Sequence, residues 1–239
     1  MNKMSKKYEY DYPLPAVTVD MAIFTVRKSR LKVLLIQRRD DTHKGSWAIP
    51  GGFVEVGVGH KAQGKQGENL EEAAERELLE ETNLQRDRDQ VFLEQLYTFG
   101  NPGRDPRGRV ITVAYYALIS PEAYHRVEAG DDAVEAAWYD VEDLPEMAFD
   151  HDKIMQTAIE RVRGKVDYDP RLARALLPNE FTTTQFRRVH EICKGTTYDS
   201  SNFNKRFKRM VEDGRILETE DLEETTGAGR PARLYKFPE

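Results

Sequence analysis

The chain has 239 residues, of which 39% are hydrophobic and 33% charged, and carries a formal net charge of −6. That is enough to bury one sizeable core or two small ones. No run approaches the roughly 18 apolar residues of a membrane span, and the first ten residues lack the apolar stretch of a secretory signal, so a soluble, cytoplasmic protein without membrane contact is expected. A single cysteine, Cys193, and five scattered histidines exclude a disulfide framework and a thiolate or imidazole metal cluster. Any metal must then be held by oxygen.

Charge divides the chain unevenly. Residues 1–170 carry 23 Lys and Arg against 31 Asp and Glu, whereas residues 171–239 carry 13 against 11, and residues 181–215 hold eight basic to four acidic. Gly164, Pro170 and Pro178 punctuate the join. The expected organisation is an N-terminal domain of α+β or α/β pattern over 1–165, a linker over 166–178 and a small basic domain over 179–239.

In chain order, residues 16–26, 32–37, 92–97, 110–119 and 136–139 are rich in β-branched and aromatic residues and predict strands. Residues 69–82 predict a strong helix, and residues 151–163 a second one behind an Asp150 cap. In the basic unit, Thr182 and Gln185 stand in capping-box relation ahead of one helix, and Asp199 or Ser200 can cap the next. Residues 215–237 alternate around a Gly/Pro turn, the pattern of a hairpin.

The helix over 69–82 holds the most specific chemistry. Glu71, Glu72 and Glu75 fall on its outer side, whereas Glu77 and Glu81, at about 100° per residue, fall on the inward stripe with Leu70, Ala73 and Ala74. Two carboxylates at i, i+4 on an apolar stripe, with Glu80 one turn from Glu77, repel one another and resist desolvation unless a cation joins them, and an oxygen-coordinated divalent ion fits. Without such an ion the same run is a solvated charged face. Upstream, Gly51-Gly52 end a strand in a turn where the backbone can approach a ligand closely.

Together Gly52, Glu68 and Arg76-Glu77-Leu78-Leu79-Glu80-Glu81 resemble the Nudix box, G-x5-E-x7-R-E-U-x-E-E-x-G-U with U aliphatic. Residues 58–67 form a ten-residue insertion, with His60, Lys61 and Lys65 in it, and Asn83 stands where the box has its late glycine; asparagine tolerates the same left-handed conformation. The resemblance implies a Nudix α/β/α sandwich in which Glu77, Glu80, Glu81 and the Gly52 carbonyl hold Mg²⁺ or Mn²⁺. It further implies that Arg76 orients the glutamates and that another carboxylate, for which Glu135 is the candidate, serves as general base. Glu135 follows Asp131 and Asp132, which themselves read as a turn. Arg104-Asp105-Pro106-Arg107-Gly108-Arg109 resembles the corresponding segment of ADP-ribose pyrophosphatases. There Arg104, Arg107 and Arg109, with Gly51 and Gly52, would contact a nucleoside diphosphate sugar.

In the basic unit Phe203, Phe207, Met210 and Val211 form a core stripe, while Ser201, Asn202, Lys205, Lys208 and Arg209 occupy the opposite side, donors suited to phosphates and base edges. Gly227-Ala228-Gly229-Arg230-Pro231 and Arg233 add a basic hairpin tip. This order resembles a winged helix-turn-helix. A Nudix domain followed by such a unit, with Ala148-Phe149-Asp150-His151 ahead of the second helix, resembles the NrtR-type regulators of NAD or sugar metabolism. What the resemblance implies is a dimeric DNA-binding regulator that senses ADP-ribose or a related nucleotide sugar, in a family where the box is often degraded. The intact Arg-Glu-Leu-Leu-Glu-Glu core supports the alternative, a Mg²⁺-dependent pyrophosphohydrolase whose tail serves assembly.

Overall fold

A computed structural model describes residues 11–39, 41–57, 67–127, 133–222 and 231–238. Strand β1 (Ala16–Arg27) is the axis of a seven-stranded mixed sheet. It pairs antiparallel with β2 (Arg30–Arg38) and parallel with β6 (Val110–Leu118), and β6 pairs with β5 (Phe92–Phe99). The two-residue strand β3 (Trp47–Ala48) and β7 (Ala133–Asp140) flank β2, and β4 (Gly51–Phe53) pairs with β1. Lys28 and Ser29, both at positive φ, form the β1–β2 turn, where such angles match the twist of the flanking strands.

Period-two alternation explains why β1 reads as a largely apolar run. Val19, Met21 and Ile23 pack with Val113, Tyr115 and Ala117 of β6 under helix α1 (Leu70–Thr82). Ala22 and Phe24 pack with Ala114, Tyr116 and Leu118 on the other face, under helix α3 (His151–Lys165). Both faces are covered, so both sets are buried. The short helix α2 (Pro121–Tyr124) lies on the α1 side, where Ala123 is buried. The α1 ends follow from its sequence. Asn69 and Glu72 form a capping box, and Asn83 takes the left-handed conformation at φ 58° that closes the helix.

Two expectations are corrected here. Asp150 stands at the N-cap of α3 but makes no capping bond, because Arg104 holds its carboxylate. The segment 166–178 is not an open linker: Pro170, at the first turn where a missing N–H costs nothing, starts helix α4 (Pro170–Leu176) behind an Asp169 cap. Asp169 also pairs with Arg171 at 2.7 Å and Lys165 at 3.2 Å, which holds its carboxyl down at about 2. Leu172, Ala173 and Leu176 are buried.

Helices α5 (Thr183–Lys194) and α6 (Ser200–Glu212) begin at the expected Thr182–Gln185 capping box and Asp199 cap. Strands β8 (Leu217–Leu222) and β9 (Arg233–Lys236) pair antiparallel, and Phe181 bridges to Tyr235. This is the order of a winged helix. Residues 223–230, with the tip glycines and Arg230, lie outside the described residues, as do His60, Lys61 and Lys65 of the insertion and Asp131 and Asp132.

Among the described residues, the core of the winged unit is continuous with that of the sheet. One apolar cluster runs from Phe24, Tyr116 and Leu118 through Ile154, Met155 and Val162 to Leu176, Phe186, Cys193, Phe203 and Phe207. Burial within it pushes the Cys193 thiol up to about 12, so this cysteine is an inert core residue. Phe186 sits at its distal centre, within ring-stacking distance of Phe181, His190, Phe203, Phe207 and Phe237. Phe186→Ala should therefore cost about 3–5 kcal/mol and lower the denaturation midpoint reported by Trp47 and Trp138, both in strands of the N-terminal domain. A tryptophan signal that stays put while helicity melts early would mean that the halves unfold separately.

Candidate functional site

The end of the sheet where β1, β4 and α1 meet opens into a cavity of about 680 Å³, within the range of small-molecule sites. Asp20, Arg38, Gly51, Gly52, Phe53, Arg76, Glu77, Glu80, Glu81, Arg104, Asp105, Arg107, Phe149 and His151 are among its walls. Glu77 and Glu81 are buried on the inward stripe, as their spacing predicts, and Glu80 is exposed. Arg76 braces this group. Its Nη1 donates to Glu77 at 2.7 Å and Glu80 at 2.9 Å, while Nε and Nη2 grip Glu68 at 2.9 and 2.7 Å. Nη2 also donates to the Phe53 carbonyl at 3.0 Å.

Burial raises the Glu77 carboxyl above its ordinary range even against the opposing pull of Arg76. The site is thus short of positive charge, which is what an incoming cation relieves. Gly52 belongs to the same argument, because a Cβ there would lie 2.2 Å from Glu77 Oε1. Only a residue without a side chain lets the β4 backbone meet that carboxylate. Among the described residues no three acidic, histidine or cysteine side chains are gathered into a finished metal cage. The donor set nevertheless fits a hard divalent ion: all oxygen, two carboxylates on one helical stripe and a backbone at close approach.

Opposite the glutamates lies a layer of arginines and rings. Arg104 is almost fully buried and paired with Asp150 at 2.8 Å, with Asp20 3.6 Å away. Arg107 is clamped to Asp105 at 2.7 Å and lies 5.3 Å above the Phe53 ring and 5.6 Å from that of Phe149. Arg38 covers Phe149 at 4.8 Å. Phe149 itself is held at φ 56°, an unusual angle for an aromatic residue and one that clusters at functional sites. The Ile49 amide donates to His151 Nδ1 at 3.2 Å, and burial keeps the His151 pKa low. The ring is therefore neutral, with its proton on Nε2, 4.0 Å from Asp20.

Two expected residues stand apart from this cavity. Arg109 turns back to the Gly100 carbonyl at the base of its own loop and is not among the cavity walls. Glu135 is exposed on β7; alternation sets it on the face of Tyr139, opposite the one from which Ala136 and Trp138 pack towards α1. Missed by the motifs were Asp20, Arg38, Phe53 and Phe149. Asp20 did leave a trace, as the single charged residue in the apolar run of β1.

On α6, Phe203, Phe207 and Met210 are buried, whereas Ser201, Asn202, Lys205, Lys208 and Arg209 are exposed on the other side. Lys208 lies 3.5 Å from Glu212, and Arg233 on the wing pairs with Glu218.

Gly52→Ala meets only a movable carboxylate, so it should fold with a nearly unchanged melting temperature while weakening Mn²⁺ binding roughly tenfold or more, as read by Mn²⁺ paramagnetic resonance. Gly51→Ala should instead lower stability, since its Cβ would lie 2.3 Å from the Val19 carbonyl oxygen. Unaltered Mn²⁺ affinity in Gly52→Ala would remove the Glu77–Gly52 pair from the metal site.

The Nudix domain model matches residues 15–158, and the NrtR DNA-binding winged helix domain matches residues 173–237. The chain is 39% identical over 229 residues, 95% of its own length and 84% of the relative's, to the ADPR-responsive transcriptional repressor NtrR of Acinetobacter baylyi. It is 41% identical over 152 residues, 63% of this chain and 76% of the relative, to the ADP-ribose pyrophosphatase of Methanocaldococcus jannaschii. The crystal structure of Shewanella oneidensis NrtR complexed with a 27mer DNA superposes with a TM-score of 0.76 at 33% identity, covering 93% of each chain. A glutamate-lined cavity on a Nudix sandwich, continuous with a winged helix over nearly the whole length of such relatives, places this chain in the NrtR-type family of Nudix proteins.

Proposed function

We propose that the protein is a DNA-binding transcriptional repressor that responds to ADP-ribose or a closely related nucleoside diphosphate sugar, and that its Nudix box hydrolyses that ligand. The observation that carries this reading is the presence, on one continuous core, of a cavity lined by both carboxylates and arginines and of a helix whose exposed face is basic. Two copies of the chain would present two winged units to a palindromic site, in keeping with the symmetry of helix-turn-helix dimers.

In the cavity, Arg107 and the rings of Phe53 and Phe149 form a flat, cationic surface suited to a base or ribose, and Arg38 and Arg104 add positive charge for phosphate. Glu77, Glu81 and Glu80, with the Gly52 carbonyl, would hold Mg²⁺ or Mn²⁺. A divalent ion bound there neutralises a diphosphate and helps a water attack phosphorus, so that ADP-ribose and water yield AMP and ribose 5-phosphate. Arg76 orients Glu77 and Glu80 and opposes the penalty of burying Glu77, and buried His151, neutral, presents an Nε2 proton rather than a base. Wild-type protein with Mg²⁺ should release AMP from ADP-ribose, and Glu81→Gln should lose this activity by a factor of a hundred or more while still binding the sugar nucleotide. Full activity in Glu81→Gln would remove the metal assignment; tight binding without turnover in wild type would leave a pure sensor.

On the DNA side, Ser201, Asn202, Lys205, Lys208 and Arg209 would enter the major groove, with Arg233 and Arg230 on the wing reaching the backbone. Charge reversal at Lys205 together with Arg209 should abolish binding to a duplex selected by the wild-type protein from a randomised library. Loss of one phosphate contact should lower the slope of log affinity against log salt by about one. Unchanged affinity in the double variant would favour the assembly role for the tail. Saturating ADP-ribose should weaken DNA binding fivefold or more, the range of ordinary coupling free energies.

A further inference from the structure

Helix α3 runs from the cavity towards α6, the recognition helix of the proposed function. At its start, Phe149 and His151 line the cavity, and Asp150 between them holds Arg104, which lines it too. At its end, two residues past Lys165, stands Asp167. Its Oδ1 accepts the Tyr198 hydroxyl at 2.7 Å and lies 3.3 Å from Arg206 Nη1; its backbone oxygen accepts Arg206 Nη2; and its Oδ2 lies 3.2 Å from Lys194 Nζ. One residue thus grips the end of α5, the turn before α6 and the middle of α6. Lys194 also donates to the Arg163 carbonyl at 3.0 Å, tying α5 to the last turn of α3.

These contacts matter because of what the core cannot do. The stripe of Phe203, Phe207 and Met210 decides which side of α6 faces inward, but apolar packing is not directional and tolerates small rotations and slides. Hydrogen bonds and ion pairs fix position by distance and angle. Arg206 lies on the flank of α6 between the buried stripe and the basic face, adjacent to Lys205 and one turn from Arg209. Holding Arg206 therefore sets where Lys205 and Arg209 point.

The other end of α3 is placed to feel a ligand. A diphosphate in the cavity brings negative charge beside Arg104, whose partner Asp150 is the residue on which α3 begins. At about 1.5 Å per residue, the 15 residues of α3 form a rod of roughly 22 Å. With Ile154, Met155, Ala158, Ile159 and Val162 buried along one side, a displacement at one end of this rod would be felt at the other.

We propose that Asp167 is the positioning residue for the recognition helix, and that ligand acting on the Arg104–Asp150 pair loosens the Asp167 grip through α3. The second half of this statement rests on the ADP-ribose-sensing reading above; the first does not.

The test uses full-length protein, the selected duplex and the α,β-methylene analogue of ADP-ribose, which binds without being cleaved. Asp167→Asn should weaken ligand-free DNA binding fivefold or more and bring the effect of the analogue on DNA affinity close to one. By linkage, a chain already released takes up the analogue without doing that work, so its affinity for the analogue should rise by up to the coupling factor lost. A merely structural role would not raise any affinity. Tyr198→Phe, which removes one hydroxyl and no charge, should move all three quantities in the same direction by less, and serves if Asp167→Asn folds poorly. Wild-type coupling retained in Asp167→Asn, or analogue and DNA affinities that fall together in both variants, overturns the proposal. If wild type itself shows no effect of the analogue, the sensing reading fails and the coupling half falls with it, while weakened DNA binding in Asp167→Asn still supports the positioning half.

Discussion

The structure turns on a carboxylate kept out of water. Glu77 faces the sheet on the stripe of Ala73, Ala74 and Leu78, where desolvation penalises its charge, and the surroundings are organised to offset that penalty. Arg76 shares a single guanidinium among Glu68, Glu77, Glu80 and the Phe53 carbonyl. Lysine could not replace it, since a point charge lacks the fixed fork that reaches four partners at once. The same constraint places β4, because Gly52 must offer bare backbone to the Glu77 oxygens and Gly51 must fit against the Val19 carbonyl. The helix, the turn and the first strand are therefore one device. A change in any of them alters how the carboxylates are held.

The other face of the sheet answers to a different requirement, that of covering Phe24, Tyr116 and Leu118. Helix α3 does this together with α4, which packs against β5 and β6, and α5 packs on both helices. A winged unit with its own closed core and an open tether would leave ligand and DNA sites thermodynamically independent. Here the helix that closes the Nudix sandwich also forms the floor of the winged unit. Charge reinforces the join: Lys165 meets both Glu94 of β5 at 2.7 Å and Asp169 at the head of α4 at 3.2 Å.

What could be read from the sequence was whatever rests on local pattern. The inward glutamates, the left-handed Asn83, the Thr182–Gln185 box and the stripe on α6 all follow from spacing along one element, and each is found in the structure. The strands β3 and β4, of two and three residues, are too short to carry a period. Pro170 misled for a definite reason: a proline interrupts a helix from within but starts one from its first turn, whereas Pro178 does stand in the loop between α4 and α5. The arginines of the 104–109 loop separate only in three dimensions. Asp150 draws Arg104 into the wall of the cavity, Asp105 orients Arg107 towards two rings, and Arg109 closes its own loop on Gly100. No spacing rule distinguishes those fates, because each depends on a partner that folding supplies.

The proposed function, sensing together with hydrolysis, places two demands on one cavity. A sensor must bind its ligand unequally in its DNA-competent and released arrangements, and the response lasts only as long as the ligand stays bound. A hydrolase instead favours the transition state over the ligand and lets products go. The two demands are compatible when the residues that report occupancy are not those that activate water. The cavity offers such a division. Glu77, Glu80 and Glu81 sit on α1, on one side of the sheet, whereas Arg104, Asp150, Phe149 and His151 gather where α3 begins, on the other. A ligand spanning the cavity touches both sets. In the proposed function, turnover through the first would act as a clock on the signal read by the second, and loss of the glutamates in a relative would slow the clock without cutting the wire.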